Sequence, residues 1–260
     1  MMDIHPSAIV EDGAQIGPGC RIGPFCVVGP RVVLGEGVVL KSHVIVTGDT
    51  SIGPETVVFP FSVIGEIPQD MKFAGEQTQL RIGARNRIRE HVTMNTGTAG
   101  GGGVTRIGDD GLFMAGCHIA HDVQIGDRVI VVNQSAVAGH VVIEDDVIVG
   151  GLSGIHQFVR LGQGAIIGAL SMVTADVLPH GLVMGPRAQM EGLNLTGLKR
   201  RGVARADISA LRYALSELRD GEGTFHDRAA RLGQTDDNAY VRQLVAFITG
   251  GSDRHFLTPK

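Results

Sequence analysis

Aliphatic residues recur at every sixth position along most of the chain. The series begins at Ile4 and continues without a miss to Ile64, where an irregular segment interrupts it. It resumes at Ile82, shifts by one position at a glycine-rich insertion, 97–103, and then continues to Val173. A period of six matches neither the 3.6-residue repeat of a helix nor the two-residue alternation of a strand.

A second pattern accompanies the first, because a small or β-branched side chain follows each aliphatic residue by four positions. The three cysteines, Cys20, Cys26 and Cys117, occupy these small positions, so we interpret them as interior packing residues without a redox role. Hexapeptide repeats are typical of a parallel β-helix, in which three hexads close one coil of about 18 residues. The sequence therefore predicts an all-β solenoid over residues 1–189.

The remaining residues, 190–260, change period and predict a small α-helical C-terminal domain. Apolar residues at helical spacing appear twice, and Asp207 and Thr224 are candidate helix caps. The two apolar sets are Ile208, Leu211, Leu215 and Leu218, followed by Val241, Leu244, Val245 and Ile248.

Composition and charge exclude several classes of protein. The net charge of −4 argues against a nucleic-acid-binding protein driven by overall charge. The apolar runs are too short to cross a bilayer, and the acidic N-terminus lacks the apolar core of a signal peptide. The three cysteines lack metal-type spacing. We therefore expect a reduced, cytoplasmic protein without stable membrane insertion.

The candidate chemistry lies in a cluster of histidines. Positions 18 apart lie above one another in such a solenoid, separated by about 4.8 Å, so His121 should lie over Gly139 with His140 diagonally beside it. A histidine can act as a general base near neutral pH, and Asp122 is placed to orient it. The Gly139 N–H, which no side chain shields, is a candidate oxyanion donor.

The spacing alone leaves other interpretations open. The histidines can equally be exposed residues on a regular solenoid that serves as a scaffold. His118 and His121 also suggest a zinc site, although no cysteine or glutamate completes a ligand set.

Two segments carry a resemblance to a known family. One is Cys-His-Ile-Ala-His-Asp at 117–122, and the other is Gly-Leu-Asn-Leu-Thr-Gly-Leu-Lys-Arg-Arg-Gly at 192–202. Together with the hexads, they resemble the acyl-(acyl-carrier-protein)–UDP-N-acetylglucosamine O-acyltransferases, which catalyse the first step of lipid A biosynthesis. The resemblance covers essentially the whole chain and implies a left-handed β-helix and a homotrimer with active sites between neighbouring solenoids.

The family reaction moves a 3-hydroxyacyl chain from acyl carrier protein to the 3-hydroxyl of UDP-N-acetylglucosamine, without a cofactor or metal. The resemblance implies that His121 is the general base, that Asp122 supports it and that the Gly139 amide polarises the thioester carbonyl. Ala169 matches a position that limits acyl-chain length. The positions that match substrate contacts are Gln69, Asp70, Lys72, His118, His140, His156, Gln157, Asn194, Arg200 and Arg201.

Two alternative activities use the same solenoid. One is N-acylation of a UDP-amino-sugar, since no motif encodes the acceptor atom. The other is a zinc-dependent hydratase of the carbonic-anhydrase type, which requires histidines that converge on a metal.

Overall fold

The structure is a computed structural model that describes residues 3–252 and 254–259. Short strands form three sheets in which each strand pairs in parallel with the strand one coil later, except that the last two strands of the first sheet, Gly181–Met184 and Gln189–Leu193, pair antiparallel. Asp3, for example, pairs with Arg21, which in turn pairs with Val39. This 18-residue offset is the register that the hexads predict.

The strands are two to five residues long because a turn follows each of them. The first sheet contains Asp3–Ile4, Arg21–Ile22, Val39–Leu40, Val57–Val58, Arg87–Ile88, Leu112–Phe113, Ile130–Val131, Ile148–Val149, Ile166–Ile167, Gly181–Met184 and Gln189–Leu193. The second contains Ile9–Val10, Val27–Val28, Ile45–Val46, Val63–Glu66, Thr93–Asn95, His118–Ile119, Ala136–Val137, Gly154–Ile155 and Met172–Val173. The third contains Gln15–Ile16, Val33–Leu34, Asp49–Ile52, Gln79–Ile82, Val104–Ile107, Gln124–Ile125, Val142–Ile143 and Arg160–Leu161.

The aliphatic ladder fills the space between the three sheets. Every ladder residue from Ile22 to Val173 is buried, whereas Ile4 in the terminal coil is 41% exposed. The cysteines pack among them as expected, and burial raises the pKa of the Cys117 thiol to about 12. A thiol held in this protonated form is a poor nucleophile, in keeping with a packing role.

Four α-helices follow the solenoid: α1 Leu195–Arg200, α2 Arg205–Asp220, α3 Phe225–Thr235 and α4 Ala239–Thr249. The strand Gln189–Leu193 spans residue 190, where the helical domain was expected to begin. Thr224 caps α3 as predicted, but the prediction for Asp207 is wrong, because Ala204 is the N-cap of α2. Asp207 lies in the first turn, where its carboxylate accepts a hydrogen bond from Asn238.

A buried ion pair joins the solenoid to the helices. The Arg160 guanidinium lies 2.7 Å from the Asp176 carboxylate, whose side chain is 0% exposed. The same guanidinium donates to the Phe247 carbonyl at 3.2 Å and stacks on the Phe247 ring at 4.4 Å. These contacts seat α4 against the last coils of the solenoid. None of the helices in the described residues is long and apolar enough to cross a membrane.

Candidate active site

Three successive turns between the second and third sheets form what we call the histidine corner: residues 120–123, 138–141 and 156–159. The His140 N–H donates to the His121 carbonyl at 3.1 Å, which places the first two turns directly above one another. A methyl group at Gly139 would lie 2.5 Å from His121 Cε1, so any larger residue at this position would force the ring to move. The stacking predicted from the 18-residue spacing is therefore confirmed.

His121 and Asp122 form a close pair. His121 Nδ1 lies 2.8 Å from Asp122 Oδ2, and the two side chains are 14% and 1% exposed. An ionised carboxylate can only accept hydrogen bonds, so His121 Nδ1 must carry the proton. The other ring nitrogen, Nε2, then keeps its lone pair for a proton acceptor role.

His140 lies beside this pair and belongs to the same network. Its Nδ1 is 3.8 Å from Asp122 Oδ2, and its ring stacks on Phe158 with centroids 4.4 Å apart. Burial lowers the pKa of both His140 and His118, while the negative charge of Asp122 partly opposes the shift at His140. The two histidines are therefore neutral at physiological pH and can act as hydrogen-bond partners.

A cavity of about 450 Å³ opens in front of His121 along the outer face of the second sheet. Small and apolar residues form most of its wall, and three histidines and Gln69 are its polar lining residues, so it can hold an apolar chain beside a polar reacting group. Its lining is Gln69, His118, Ala120, His121, Ala136, Val137, Ala138, Gly139, Gly154, Ile155, His156 and Met172.

The predicted residues of the irregular segment lie near this cavity to different extents. Gln69 lines it directly. Asp70 lies close enough for its charge to act on His140, and its carboxylate accepts the Lys72 N–H at 2.9 Å. The Lys72 side chain is exposed. Gln157 is exposed at the histidine corner, next to His156.

The predicted residues of the 192–202 segment lie elsewhere on the chain. Asn194 caps α1 by accepting the Gly197 N–H, and its amide donates to the Gly164 carbonyl at 3.1 Å. The Arg201 guanidinium lies 3.3 Å from His180 Nδ1. Gly164 and His180 belong to turns between the third and first sheets, so one copy of the chain does not bring Arg201 to the histidine corner. Arg200 is exposed.

Ala169 lies outside the cavity. It is exposed in the turn between the first and second sheets, three positions before Met172, which does line the cavity.

Sequence reasoning missed two side chains that hold the site. Thr93 lies 2.7 Å from His118 Nδ1, and Thr98 binds the Asp122 carboxylate. The glycine-rich insertion that contains Thr98 was the available signal.

One group of side chains in the described residues has the geometry to hold a metal ion. Ligand atoms of His121, Asp122 and His140 lie within 4.8 Å of one another. Asp122 Oδ2, however, already accepts hydrogen bonds from His121 and from the Thr98 hydroxyl. Because these hydrogen bonds occupy lone pairs of Oδ2, Asp122 is a weaker metal ligand than a free carboxylate would be.

Comparisons with known proteins agree on one family. Residues 176–257 match the family model described as UDP N-acetylglucosamine O-acyltransferase, domain 2, and residues 13–48 match the bacterial transferase hexapeptide model. An acyl-(acyl-carrier-protein)–UDP-N-acetylglucosamine O-acyltransferase of Paracoccus denitrificans is 67% identical over 203 residues, which are 78% of this chain and 77% of that protein. The enzyme of the same description from Rhizobium johnstonii is 49% identical over 98% of this chain and 94% of its own.

A solved structure gives the same result. The UDP-N-acetylglucosamine acyltransferase from Campylobacter jejuni superimposes with a TM-score of 0.93 at 37% identity, covering 99% of this chain and 100% of that one. At this identity and coverage, the likeness extends over both the solenoid and the helices.

Proposed function

The chain belongs to the acyl-(acyl-carrier-protein)–UDP-N-acetylglucosamine O-acyltransferase family, and from this premise we propose a mechanism centred on His121. The enzyme transfers an acyl chain from acyl carrier protein to UDP-N-acetylglucosamine, the first step of lipid A synthesis. In our proposal the chain is a 3-hydroxyacyl group and the acceptor is the sugar 3-hydroxyl. His121 is the general base, Asp122 orients it, and the Gly139 amide stabilises the oxyanion.

The observation that carries this proposal is the His121–Asp122 pair, whose histidine lines a largely apolar cavity. With Nδ1–H bonded to Asp122, Nε2 takes the proton of the acceptor hydroxyl as its oxygen attacks the thioester carbon. A carbon–oxygen bond forms and the carbon–sulfur bond breaks as the intermediate collapses. His121 returns the proton to the departing sulfur, so it is neutral again after each turnover.

Gly139 is suited to the oxyanion role by what surrounds it. It lines the cavity directly beneath His121, and its N–H has no hydrogen-bond partner among the described residues. A preorganised backbone donor of this kind stabilises the charge that develops on a carbonyl oxygen during acyl transfer.

A homotrimer would explain why the predicted substrate residues lie at different edges of one chain. Arg200, Arg201 and Asn194 would come from one copy to contact the nucleotide, and His118, His140, His156 and Gln157 from its neighbour. One of the outer faces also favours self-association. Apolar residues repeat on the first sheet at Leu112, Ile130, Ile148 and Ile166, whereas the third sheet carries Arg81, Arg106, Gln124 and Arg160.

The remaining assignments follow from the same premise. The solenoid winds left-handed, and Gln69, Asp70 and Lys72 contact the sugar. The small Ala169, which lies outside the cavity of one copy but near Met172, leaves room for the far end of a long acyl chain. The reaction uses no cofactor and takes place in the cytoplasm. The Asp122 carboxylate already accepts hydrogen bonds from Thr98 and His121, whereas a zinc-dependent hydratase needs an open metal site. This arrangement favours acyl transfer over the hydratase reaction.

Product analysis tests the acceptor and the reaction class together. Purified protein would be incubated with acyl carrier thioesters of several lengths and either UDP-N-acetylglucosamine or its 3-amino analogue, and products identified by mass spectrometry. We expect UDP-N-acetylglucosamine to gain one acyl group as an ester that mild base removes. Acylation of the amino analogue alone would show that the chain is an N-acyltransferase.

A further inference from the structure

The carboxylate of Asp122 is held from both sides by one residue of the glycine-rich insertion. The Thr98 N–H donates to Oδ1 at 2.9 Å, and the Thr98 hydroxyl donates to Oδ2 at 2.6 Å. Both groups must be the donors, because an ionised carboxylate only accepts. Asp122 itself sits in a left-handed turn with φ of +59°, and its own N–H donates to the Thr105 hydroxyl at 2.8 Å.

Two glycines of the insertion make room for this carboxylate. A methyl group on Gly101 would lie 2.1 Å from the Asp122 carboxyl carbon, and one on Gly97 would lie 2.7 Å from Oδ1. Between them, a methyl group on Gly100 would meet nothing within 4 Å. The requirement for glycine therefore comes from contact with Asp122 at Gly101, comes from the backbone of Gly103 and Val104 as well as from Asp122 at Gly97, and is absent at Gly100.

The loop that carries Thr98 is itself fixed to the preceding irregular segment. The Ala99 N–H donates to the Glu76 carboxylate at 3.2 Å, and the Thr78 hydroxyl donates to the Thr96 hydroxyl at 2.9 Å. The Gly103 N–H closes the loop onto the Thr98 carbonyl at 2.8 Å. Thr98 is therefore presented by an anchored backbone.

We propose that Thr98 is a positioning residue for catalysis and that Gly97, Thr98 and Gly101 form a carboxylate cradle that directs Asp122 toward His121. This inference rests on the proposed function of His121 as general base. Two imidazoles compete for the same oxygen: His121 Nδ1 at 2.8 Å and His140 Nδ1 at 3.8 Å. Because Thr98 binds both carboxylate oxygens, the carboxylate cannot rotate and Oδ2 stays within hydrogen-bond distance of His121 Nδ1. This hydrogen bond keeps the proton on Nδ1 and leaves Nε2 as the base.

Paired substitutions test the cradle. Thr98→Val removes the hydroxyl donor but keeps the side-chain shape, and Thr98→Ser retains the donor. Losing a hydrogen bond to a charged group should lower kcat roughly 10- to 100-fold in Thr98→Val, with the KM of both substrates within about threefold of the wild-type values. Thr98→Ser should recover kcat to within about threefold of wild type.

Gly101→Ala and its neighbour Gly100→Ala provide the steric pair. Gly101→Ala should lower kcat at least tenfold because its methyl group displaces the carboxylate, whereas Gly100→Ala should leave kcat unchanged. Thermal unfolding and the sedimentation coefficient of each variant show whether it is folded and assembled. If either Thr98→Val or Gly101→Ala misfolds, the other still tests the cradle, because one removes a donor to the carboxylate and the other displaces it.

His121→Ala, measured in parallel, distinguishes a failure of the proposed cradle from a failure of the proposed general base. If His121→Ala is inactive but Thr98→Val and Gly101→Ala both turn over like wild type, the cradle is wrong and the proposed base stands. If His121→Ala itself retains wild-type kcat, the proposed function of His121 has failed. A Thr98→Val defect confined to KM would also overturn the positioning role.

Discussion

Gly139→Ala probes the geometry of the active site without removing any polar group. The new methyl group would lie 2.5 Å from His121 Cε1 and 2.7 Å from Nε2. Ordinary van der Waals contact begins near 3.4 Å, so the imidazole has to move by about 1 Å. A displacement of that size in a catalytic group can reduce turnover about 100-fold. We therefore expect kcat to fall by about two orders of magnitude while the Gly139 N–H remains in place.

The assay is steady-state acyl transfer from an acyl carrier thioester to UDP-N-acetylglucosamine, with product quantified by mass spectrometry. Gly100→Ala is a matched control, because Gly100 does not line the cavity and a methyl group there meets nothing within 4 Å. It should change kcat by no more than about threefold. A Gly139→Ala enzyme with near-wild-type kcat would refute the close approach of His121 to this turn.

Three further predictions concern substrate, metal and assembly. Arg201→Ala should raise the apparent KM for the UDP-sugar roughly 10- to 100-fold, since a charge-assisted hydrogen bond contributes ~1.5–3 kcal/mol. The control is Arg205→Ala, which changes an exposed arginine at the start of α2. A defect seen only with acyl carrier protein would contradict the assignment of Arg201 to the nucleotide. Exhaustive treatment with EDTA should leave kcat unchanged, whereas activity that disappears and returns with Zn²⁺ would revive the hydratase hypothesis. Sedimentation velocity should show a trimer as the active species, and full activity in a monomer would contradict a shared active site.

The hexad pattern predicts most of the fold because each hexad is a local unit that repeats the same packing problem. An inward aliphatic residue and a small corner residue are enough to define a coil, so the ladder residues from Ile22 to Val173 are buried where the sequence places them. The 18-residue column that brings His121 over Gly139 follows from the same arithmetic.

The parts that the sequence does not predict lie where the period breaks. Thr98 reaches Asp122 from an insertion without a repeat, so no spacing rule relates the two residues. The Asn194 side chain accepts a hydrogen bond from the Gly197 N–H and donates one to the Gly164 carbonyl. The second contact depends on how α1 packs against the solenoid. Arg201 packs against His180 for the same reason. The hexads repeat at a fixed spacing that a single sequence shows. Contacts between irregular segments that are far apart in the sequence follow no such spacing.

The role of His121 as general base predicts a large loss of turnover when the imidazole is removed, and the kcat of His121→Ala measures that loss. His226→Ala, a histidine exposed on α3, is the control. Removing a general base typically lowers turnover 10²–10⁴-fold. We predict a loss in that range for His121→Ala, with unchanged folding and assembly and with His226→Ala fully active. A His121→Ala enzyme that turns over within a few-fold of wild type would contradict the account.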